Sequence, residues 1–416
     1  RGYDRGNSFA EPPPRPSSSY HDPSPQHHQQ HYQQHYQQQP GYVVELTERS
    51  PHPVISGANP KGQGRSPGSC TAFNPSYIPA SAGLNTSGVL LRICCGPKPC
   101  NWLKSNDFPP AAADSSDPPP VEHIGFAPCD IHTGACGDVL PLSTFNLDPQ
   151  HTLQDPRAFL YDGDYYTFYW TSQTGDAKCT SKMCSVGLSK SPTPLVQGSW
   201  QAVGHFPWYR NACCIMKPRG QKSYCFWGFG PNEPYLPGLG VSYTTDIDSA
   251  NFTQVPWKVA AGVHSPLGND SMAFLPLGPE YNELGLEASA RPVLLSDGNY
   301  LHFYAAHTQG FGKPGNWTGN YTVGWIVLSG DDPTKVIARW NKKTPWMNPV
   351  YDYETLCNAD RSGSCKYTGA NPWTIFLPSA DPIPGRKDTF RVWFGAGDGN
   401  TGTAVVKVTV SRVIIA

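Results

Sequence analysis

From Asn74 onward, short apolar runs stand directly behind polar turn signals, and the same phrase returns five times. Its copies occupy residues 88–94, 162–170, 223–228, 297–305 and 388–395; Asp162-Gly163-Asp164-Tyr165-Tyr166 and Asp297-Gly298-Asn299-Tyr300 show the turn and the strand entry most clearly. Each run is rich in aromatic and aliphatic residues and too short for a helix, so each predicts a β-strand entered from a tight turn. A second phrase follows two of the copies: Gly187-Leu188-Ser189 leads to Trp200-Gln201-Ala202-Val203, and Gly240-Val241-Ser242-Tyr243 leads to Phe252-Thr253-Gln254-Val255. These read as the next strand pair of two adjacent units.

A supersecondary unit that recurs without helical periodicity between its copies indicates radial repetition. The copies lie roughly 60 to 90 residues apart, more than a two-sheet sandwich usually spends between its strands. The predicted fold is therefore all-β, a five-bladed β-propeller spanning residues 70–416. Residues 97–140, rich in Pro, Ala and Asp, read as a loop insertion between blades, and 404–415 as a last strand that helps to close the ring.

Residues 1–58 differ in kind. Pro12-Pro13-Pro14, Ser17-Ser18-Ser19 and a tract of His, Gln and Tyr over 27–39 carry too little apolar area to offset chain entropy. This tail is expected to have no fold of its own and to order only against the propeller or another chain. Self-association through it is one expected partnership.

Composition narrows the class. The chain's 41 Gly, 44 Pro and 12% aromatic residues suit a turn-dense β protein. A formal net charge of −1 supplies no field for nucleic acid or an anionic membrane, and no apolar run reaches the roughly 20 residues that cross a bilayer. Thirteen cysteines, with N-x-Ser/Thr sequons at Asn85, Asn251, Asn269, Asn316 and Asn320, point to an oxidising secretory route and an extracellular glycoprotein. Because the chain starts at Arg1, it reads as a processed or truncated form of a secreted precursor. Cys129 with Cys136, Cys179 with Cys184, and Cys357 with Cys365 are close enough to staple loops, and an odd total leaves one thiol free or bonded to another chain. The vicinal pairs Cys94-Cys95 and Cys213-Cys214 lack zinc-knuckle spacing, so neither a metal nor another cofactor is expected.

Candidate chemistry begins at Gln154-Asp155-Pro156-Arg157, just ahead of the second copy of the strand phrase. A residue before proline is pushed towards extended backbone, which would aim Asp155 into the pocket on the propeller axis; a turn-capping role is the plain alternative. With Asp162-Gly163-Asp164-Tyr165-Tyr166 behind it, this stretch resembles the E-D-P-R … D-G-x-Y-Y signature of glycoside hydrolase family 130, the β-mannoside phosphorylases and mannosidases. Four further segments agree in order: Phe73-Asn74-Pro75 with Leu90-Leu91-Arg92, Arg291-Pro292-Val293 with Asp297-Gly298-Asn299-Tyr300, Asp332-Pro333-Thr334-Lys335 with Tyr353-Glu354, and Phe394-Gly395-Ala396-Gly397-Asp398. The family 43 arabinanases are similar at greater distance.

The resemblance implies a carbohydrate substrate and assigns Asp155 the role of the acid that protonates the glycosidic oxygen. Asn74 and Asp398 match residues that hold sugar hydroxyls, while Arg157 either lines the pocket or braces Asp155. Lys217, with Arg219 close by, lies where a basic phosphate contact is expected; Arg291 and Tyr304 fall in the segments that complete the substrate pocket. The phosphorylases' Y-H-G reads Tyr304-Ala305-Ala306 here, and Glu287 stands in the approach to the phosphate site. A carboxylate there repels phosphate. It could instead activate water, making an inverting hydrolase with Asp155 as acid and Glu287 (or Glu283) as base, roughly 6.5–9.5 Å apart. Among the aromatics, Trp208, Tyr209, Trp227, Trp317, Trp325 and Trp373 are candidates for stacking on sugar, although most propeller aromatics pack between blades. Two functions stay open: a secreted β-glycosidase acting on mannosides or related cell-wall glycans, and a catalytically silent propeller serving as a glycan-binding or structural glycoprotein.

Overall fold

A computed structural model describes residues 41–56, 70–95, 121–142, 151–173, 185–206, 210–228, 238–255, 275–276, 283–308, 320–340, 344–356 and 373–411. Its strands form five antiparallel sheets, the five expected blades of a propeller. The N-terminal strand β1 (Gly41–Arg49) belongs to the last blade. The first blade comprises β2 (Thr71–Ile78), β3 (Gly88–Cys95), β4 (Val121–Pro128) and β5 (Leu140–Leu142), and the second β6 (His151–Tyr161), β7 (Asp164–Gln173), β8 (Ser185–Ser191) and β9 (Gln201–Phe206). In the third are β10 (Arg210–Ile215), β11 (Ser223–Gly228), β12 (Gly238–Thr244) and β13 (Thr253–Gln254), with β14 (Leu275–Pro276) also paired to β12. The fourth contains β15 (Glu283–Ala288), β17 (Tyr300–Thr308), β18 (Asn320–Leu328) and β19 (Val336–Arg339), with β16 (Val293–Leu294) on the free end of β17. The fifth is built from β20 (Ile375–Pro382), β21 (Thr389–Ala396), β22 (Asn400–Ser411) and, outermost, β1. Each copy of the repeated strand phrase is the second strand of its blade.

Ring closure thus joins the two ends of the chain, because β1 runs antiparallel to β22 from Gly41↔Ser411 to Arg49↔Ala404. Val54 and Ile55 are buried behind it in the first blade's core. The expected boundary at residue 58 therefore falls too late: Gly41-Tyr42-Val43-Val44 alternates exposed and buried positions as an edge strand should, a pattern masked in the sequence by the polar tract before it. The expected 97–140 insertion likewise ends early, since 121–128 form β4. Residues 1–40 lie outside the described residues.

A short helix, α1 (Asp352–Thr355), locks this closure. Buried Glu354 caps it by accepting from the backbone N–H groups of Val350 and Tyr351, and also receives Arg49 of β1 through Nε at 2.9 Å and Nη2 at 2.7 Å. A two-pronged guanidinium–carboxylate contact with full caps is the arrangement that makes a buried charge tolerable.

Packing between blades uses the aromatics. Phe159, Tyr166 and Phe168 of the second blade share one apolar cluster with Trp227 and the half-cystines Cys214 and Cys225 of the third. Trp227 and Trp325 are core residues rather than sugar platforms, and Trp373 adopts a left-handed turn at φ 61°. Trp208, Tyr209 and Trp317 lie outside the described residues.

Two disulfides are placed among the described residues, the expected Cys129–Cys136 and Cys214–Cys225, which crosses β10 and β11. The free cysteine among these residues is Cys213, and it is buried. The proposed 179–184 and 357–365 pairings fall outside the described residues.

Candidate active site

The innermost strands β2, β6 and β20 share a local defect. Between Phe73 and Ser76, Gln154 and Arg157, and Phe376 and Ser379 the pairing register slips, and each slip contains a proline: Asn74-Pro75, Asp155-Pro156 and Leu377-Pro378. Proline has no N–H to give the ladder, so the strand bulges there. A related slip between Arg210 and Ala212 brings Asn211 to the corresponding position of β10.

Asn74, Asp155 and Asn211 all adopt left-handed backbone, at φ 52°, 52° and 43°. Asp155 is therefore not extended, as the following proline suggested. The bulge demands a left-handed residue, and Asn and Asp tolerate that region better than other residues with a Cβ.

These residues form two matched pairs. Asn74 Nδ2 donates to Asp155 Oδ1 at 2.6 Å, across the seam between the first and second blades. Asn211 Nδ2 donates to Glu287 Oε2 at 2.8 Å, across the seam between the third and fourth. Glu287 Oε1 accepts the Tyr321 hydroxyl at 3.0 Å, and Arg92 Nη1 reaches Asp155 Oδ1 at 3.3 Å while its guanidinium lies over the Phe73 ring. Both carboxylates are nearly fully buried, Asp155 at 3% and Glu287 at 1% exposure. Arg92 and the asparagine amide favour ionised Asp155, and burial favours the protonated acid; the two influences oppose each other at one oxygen.

Arg157 is a brace. Its Nη1 donates to the carbonyls of Asp155 and Pro156 at 3.0 and 2.9 Å, and its guanidinium covers the Phe376 ring of the fifth blade at 4.7 Å. It holds the bulge through main-chain oxygens rather than pairing with the Asp155 carboxylate in these contacts. Asp398 sits in the left-handed turn between β21 and β22, three residues past Gly395. A Cβ added at Gly395, in β21 before that turn, would overlap Asn74 Oδ1, whereas one added at Gly397 in the turn itself would meet Leu356 and the Tyr353 carbonyl.

Other expected site residues lie elsewhere. Lys217 Nζ donates to the Tyr300 hydroxyl at 2.9 Å beyond the far end of β10. Arg219, fully involved with Asp162, Asp246 and Asp248, clasps two blades at the surface. Tyr304 is buried in the core cluster shared by the third and fourth blades, and Arg291 lines a different cavity. Asn85 and Asn251 are exposed and Asn320 opens β18, whereas Asn269 and Asn316 lie outside the described residues.

Three members of the cluster escape the sequence reading as site residues: Arg92, Asn211 and Tyr321. Arg92 is visible only as the last residue of the family-like Leu90-Leu91-Arg92 segment, and Tyr321 reaches Glu287 from β18, across the intervening β17. Asn211 had a signal, since Asn211-Ala212 precedes its blade's strand phrase much as Asn74-Pro75 and Asp155-Pro156 precede theirs. No grouping of three or more His, Cys, Asp or Glu residues suited to a metal occurs among the described residues, and no helix there is long and apolar enough to cross a membrane.

No protein-family model matches the sequence, and no curated protein matches it either. Solved structures share its fold. The chain superposes on a β-1,2-mannobiose phosphorylase from Listeria innocua with a TM-score of 0.55 at 14% identity, covering 88% of this chain and 96% of that one. It is similar to a glycosyl hydrolase from Bacteroides ovatus at a TM-score of 0.55 and 15% identity, with 88% and 94% covered. A third match, at a TM-score of 0.53, 15% identity and 89% and 94% coverage, comes from work on glycoside hydrolases of family 130 that target β-1,2-mannosidic linkages in Candida mannan. The shared feature is the five-bladed propeller of the mannoside phosphorylases and glycoside hydrolases.

Proposed function

We propose that this protein is a secreted glycosidase that hydrolyses β-mannosides or related glycans with inversion, Asp155 serving as general acid and Glu287 as general base. The observation that carries the reading is the pair of buried carboxylates on inner strands β6 and β15, each held by an asparagine of the preceding blade. A pair of carboxyl groups, one able to stay protonated through burial, is what acid and base roles in glycoside hydrolysis require. Arg92 would lower the acid's proton affinity against the opposing effect of burial, and Asn74 and Asp398 would meet the sugar hydroxyls. The structural neighbours act on mannosides, and the disulfides suit an oxidising compartment.

The test is release of mannose from a panel of β-mannosides, with anomeric configuration followed by NMR. Asp155→Asn and Glu287→Gln should each cost about 10²- to 10⁴-fold in turnover, the first product should be the inverted anomer, and phosphate should not accelerate the reaction. Phosphate-dependent release of a sugar 1-phosphate would replace hydrolysis with phosphorolysis.

A second reading has its own observation. Asn74, Asp155, Arg157, Asn211 and Glu287 are all under 5% exposed, as in a structural lock between blades. Inactivity of the wild type across the panel, with Asp155→Asn lowering only stability, would establish the silent propeller.

A further inference from the structure

A cavity of about 340 Å³ opens among the C-terminal ends of the inner strands. Its wall includes Tyr77 and Pro79 around the end of β2, Phe159 and Leu160 on β6, and Pro382 and Pro384 around the end of β20. These positions follow Asn74, Asp155 and Phe376 on the same strands by three to eight residues. At about 3.3 Å per residue the cavity lies roughly 10 Å or more along the chain direction from the asparagine–carboxylate pairs.

Two charged side chains enter this otherwise apolar wall, Arg291 and Asp381. Asp381 accepts the Ser379 hydroxyl at 2.6 Å, and Ser379 in turn receives the Tyr77 N–H at 3.0 Å, so the carboxyl is fixed by the backbone of the neighbouring blade. Arg291 lies close enough to act on Asp381 through space, yet the two make no ion pair within 4 Å, and among the described residues no partner accepts from the guanidinium. Opposite charges left facing one cavity without closing on each other leave room for a molecule that answers both.

The chemistry selects the ligand class. An anion alone would meet Asp381, and a cation alone Arg291, at a cost in either case. A monosaccharide brings about one hydroxyl per carbon, and a wall of proline, Tyr, Phe, Ile, Leu and Ala offers too few partners for them. From the separated Arg291 and Asp381 in an apolar cavity of this size, we propose a second binding site for a small zwitterion with an apolar body, of the class of an aliphatic α-amino acid. Its carboxylate would take the Arg291 fork, its ammonium would take Asp381, and its side chain would lie against the prolines and Phe159. Burial raises the Asp381 carboxyl to about 6, leaving it mainly ionised at pH 7.5.

Calorimetric titration of the full chain at pH 7.5 with L-leucine tests this, alongside 4-methylpentanoate, which lacks the ammonium, 3-methylbutylamine, which lacks the carboxylate, and mannose. Leucine should bind with one-to-one stoichiometry, and loss of either charge should weaken binding at least tenfold. Arg291→Gln and Asp381→Asn should each do the same to leucine binding while the circular dichroism of the propeller is retained. The single-charge analogues read the same point on unaltered protein should either variant fail to fold. Absence of leucine binding, equal binding of 4-methylpentanoate or 3-methylbutylamine, or competition by mannose would each overturn the proposal.

Discussion

Asn74 and Asn211 occupy the same structural position in two different blades. Each sits at an inner-strand bulge with left-handed backbone and donates its side-chain amide to a carboxylate on the next blade, and the side-chain carbonyl oxygen of each is buried without a hydrogen-bond partner. Two pseudo-equivalent asparagines thus hold two buried carboxylates at two blade seams. In the mannosidase reading those carboxylates are the acid and the base; in the structural reading they are interblade locks.

Alanine at either asparagine should be costly for two separable reasons. It leaves a buried carboxylate short of a donor, worth about 1–3 kcal/mol, and puts alanine, which tolerates left-handed backbone less well than asparagine, at a left-handed position, worth about 1 kcal/mol more. Asn74→Gly and Asn211→Gly lose the hydrogen bond only. Urea denaturation should therefore rank glycine above alanine at both sites; equal losses would show that backbone conformation contributes nothing.

Gly395 is the close neighbour that keeps Asn74 in place. A Cβ there would overlap Asn74 Oδ1 and come within 3.0 Å of the Asn74 N. Gly395→Ala should lower the melting temperature by several degrees and, if the site is catalytic, reduce turnover, because the second blade's acid is held through Asn74. Unchanged stability would mean that the fifth blade can retreat from the first.

How far the sequence disclosed this site depended on which interactions were local. The strand phrase gave five blades, because turn chemistry and apolar runs are written within a dozen residues. Asp155 was legible through its place before Pro156, although the expected extended backbone proved to be a left-handed bulge, and Asn74 through the family-like Phe73-Asn74-Pro75 segment. Tyr321 was not, since its contact with Glu287 arises from pairing of β18 beside β17, a relation no local pattern carries. The same limit misplaced Arg291 and Lys217: each lies near a site segment in sequence, but several residues along an extended strand is more than 10 Å. Strand β1 escaped because its partner lies more than 350 residues away.

His302 and Asp381 should give opposite slopes to stability against pH. Burial lowers the His302 ring to about 3, with Nδ1 against the Ala290 carbonyl at 3.1 Å. Between about pH 6.5 and 3 the unfolded chain takes up a proton that the folded chain refuses, so this group removes stability as pH falls. Asp381 is raised from 3.8 to about 6; its folded form binds the proton first, so its contribution is present below about 4 and is lost as pH rises to 6. His302→Asn should flatten the acid-side decline and Asp381→Asn should steepen it, as read by chemical denaturation at pH 4, 5, 6 and 7.

Cys213 should be chemically silent in the native protein. Burial raises its thiol to about 12 despite the opposing fields of Arg157 and Arg291, leaving a thiolate fraction of about one in ten thousand at pH 8. Iodoacetamide at pH 8 should leave Cys213 unmodified in native protein and label it fully in guanidinium chloride, with peptide mass spectrometry as the readout. Rapid native labelling would show that the seam between the third and fourth blades opens.

The Arg92–Asp155 contact offers the most direct measure of how the site is balanced. The two groups meet at 3.3 Å with side-chain exposures of 9% and 4%, so removing one partner strands a charge in a nearly dry environment. Arg92→Met should therefore cost about 3–5 kcal/mol, and it removes the cation that favours ionised Asp155. Asp155→Asn in the same background takes away the stranded charge while keeping the Asn74 contact in a neutral form. The double variant should recover at least 1 kcal/mol relative to Arg92→Met alone, a coupling measurable by a double-mutant cycle in urea. Additive losses would mean that Arg92 and Asp155 do not sense each other.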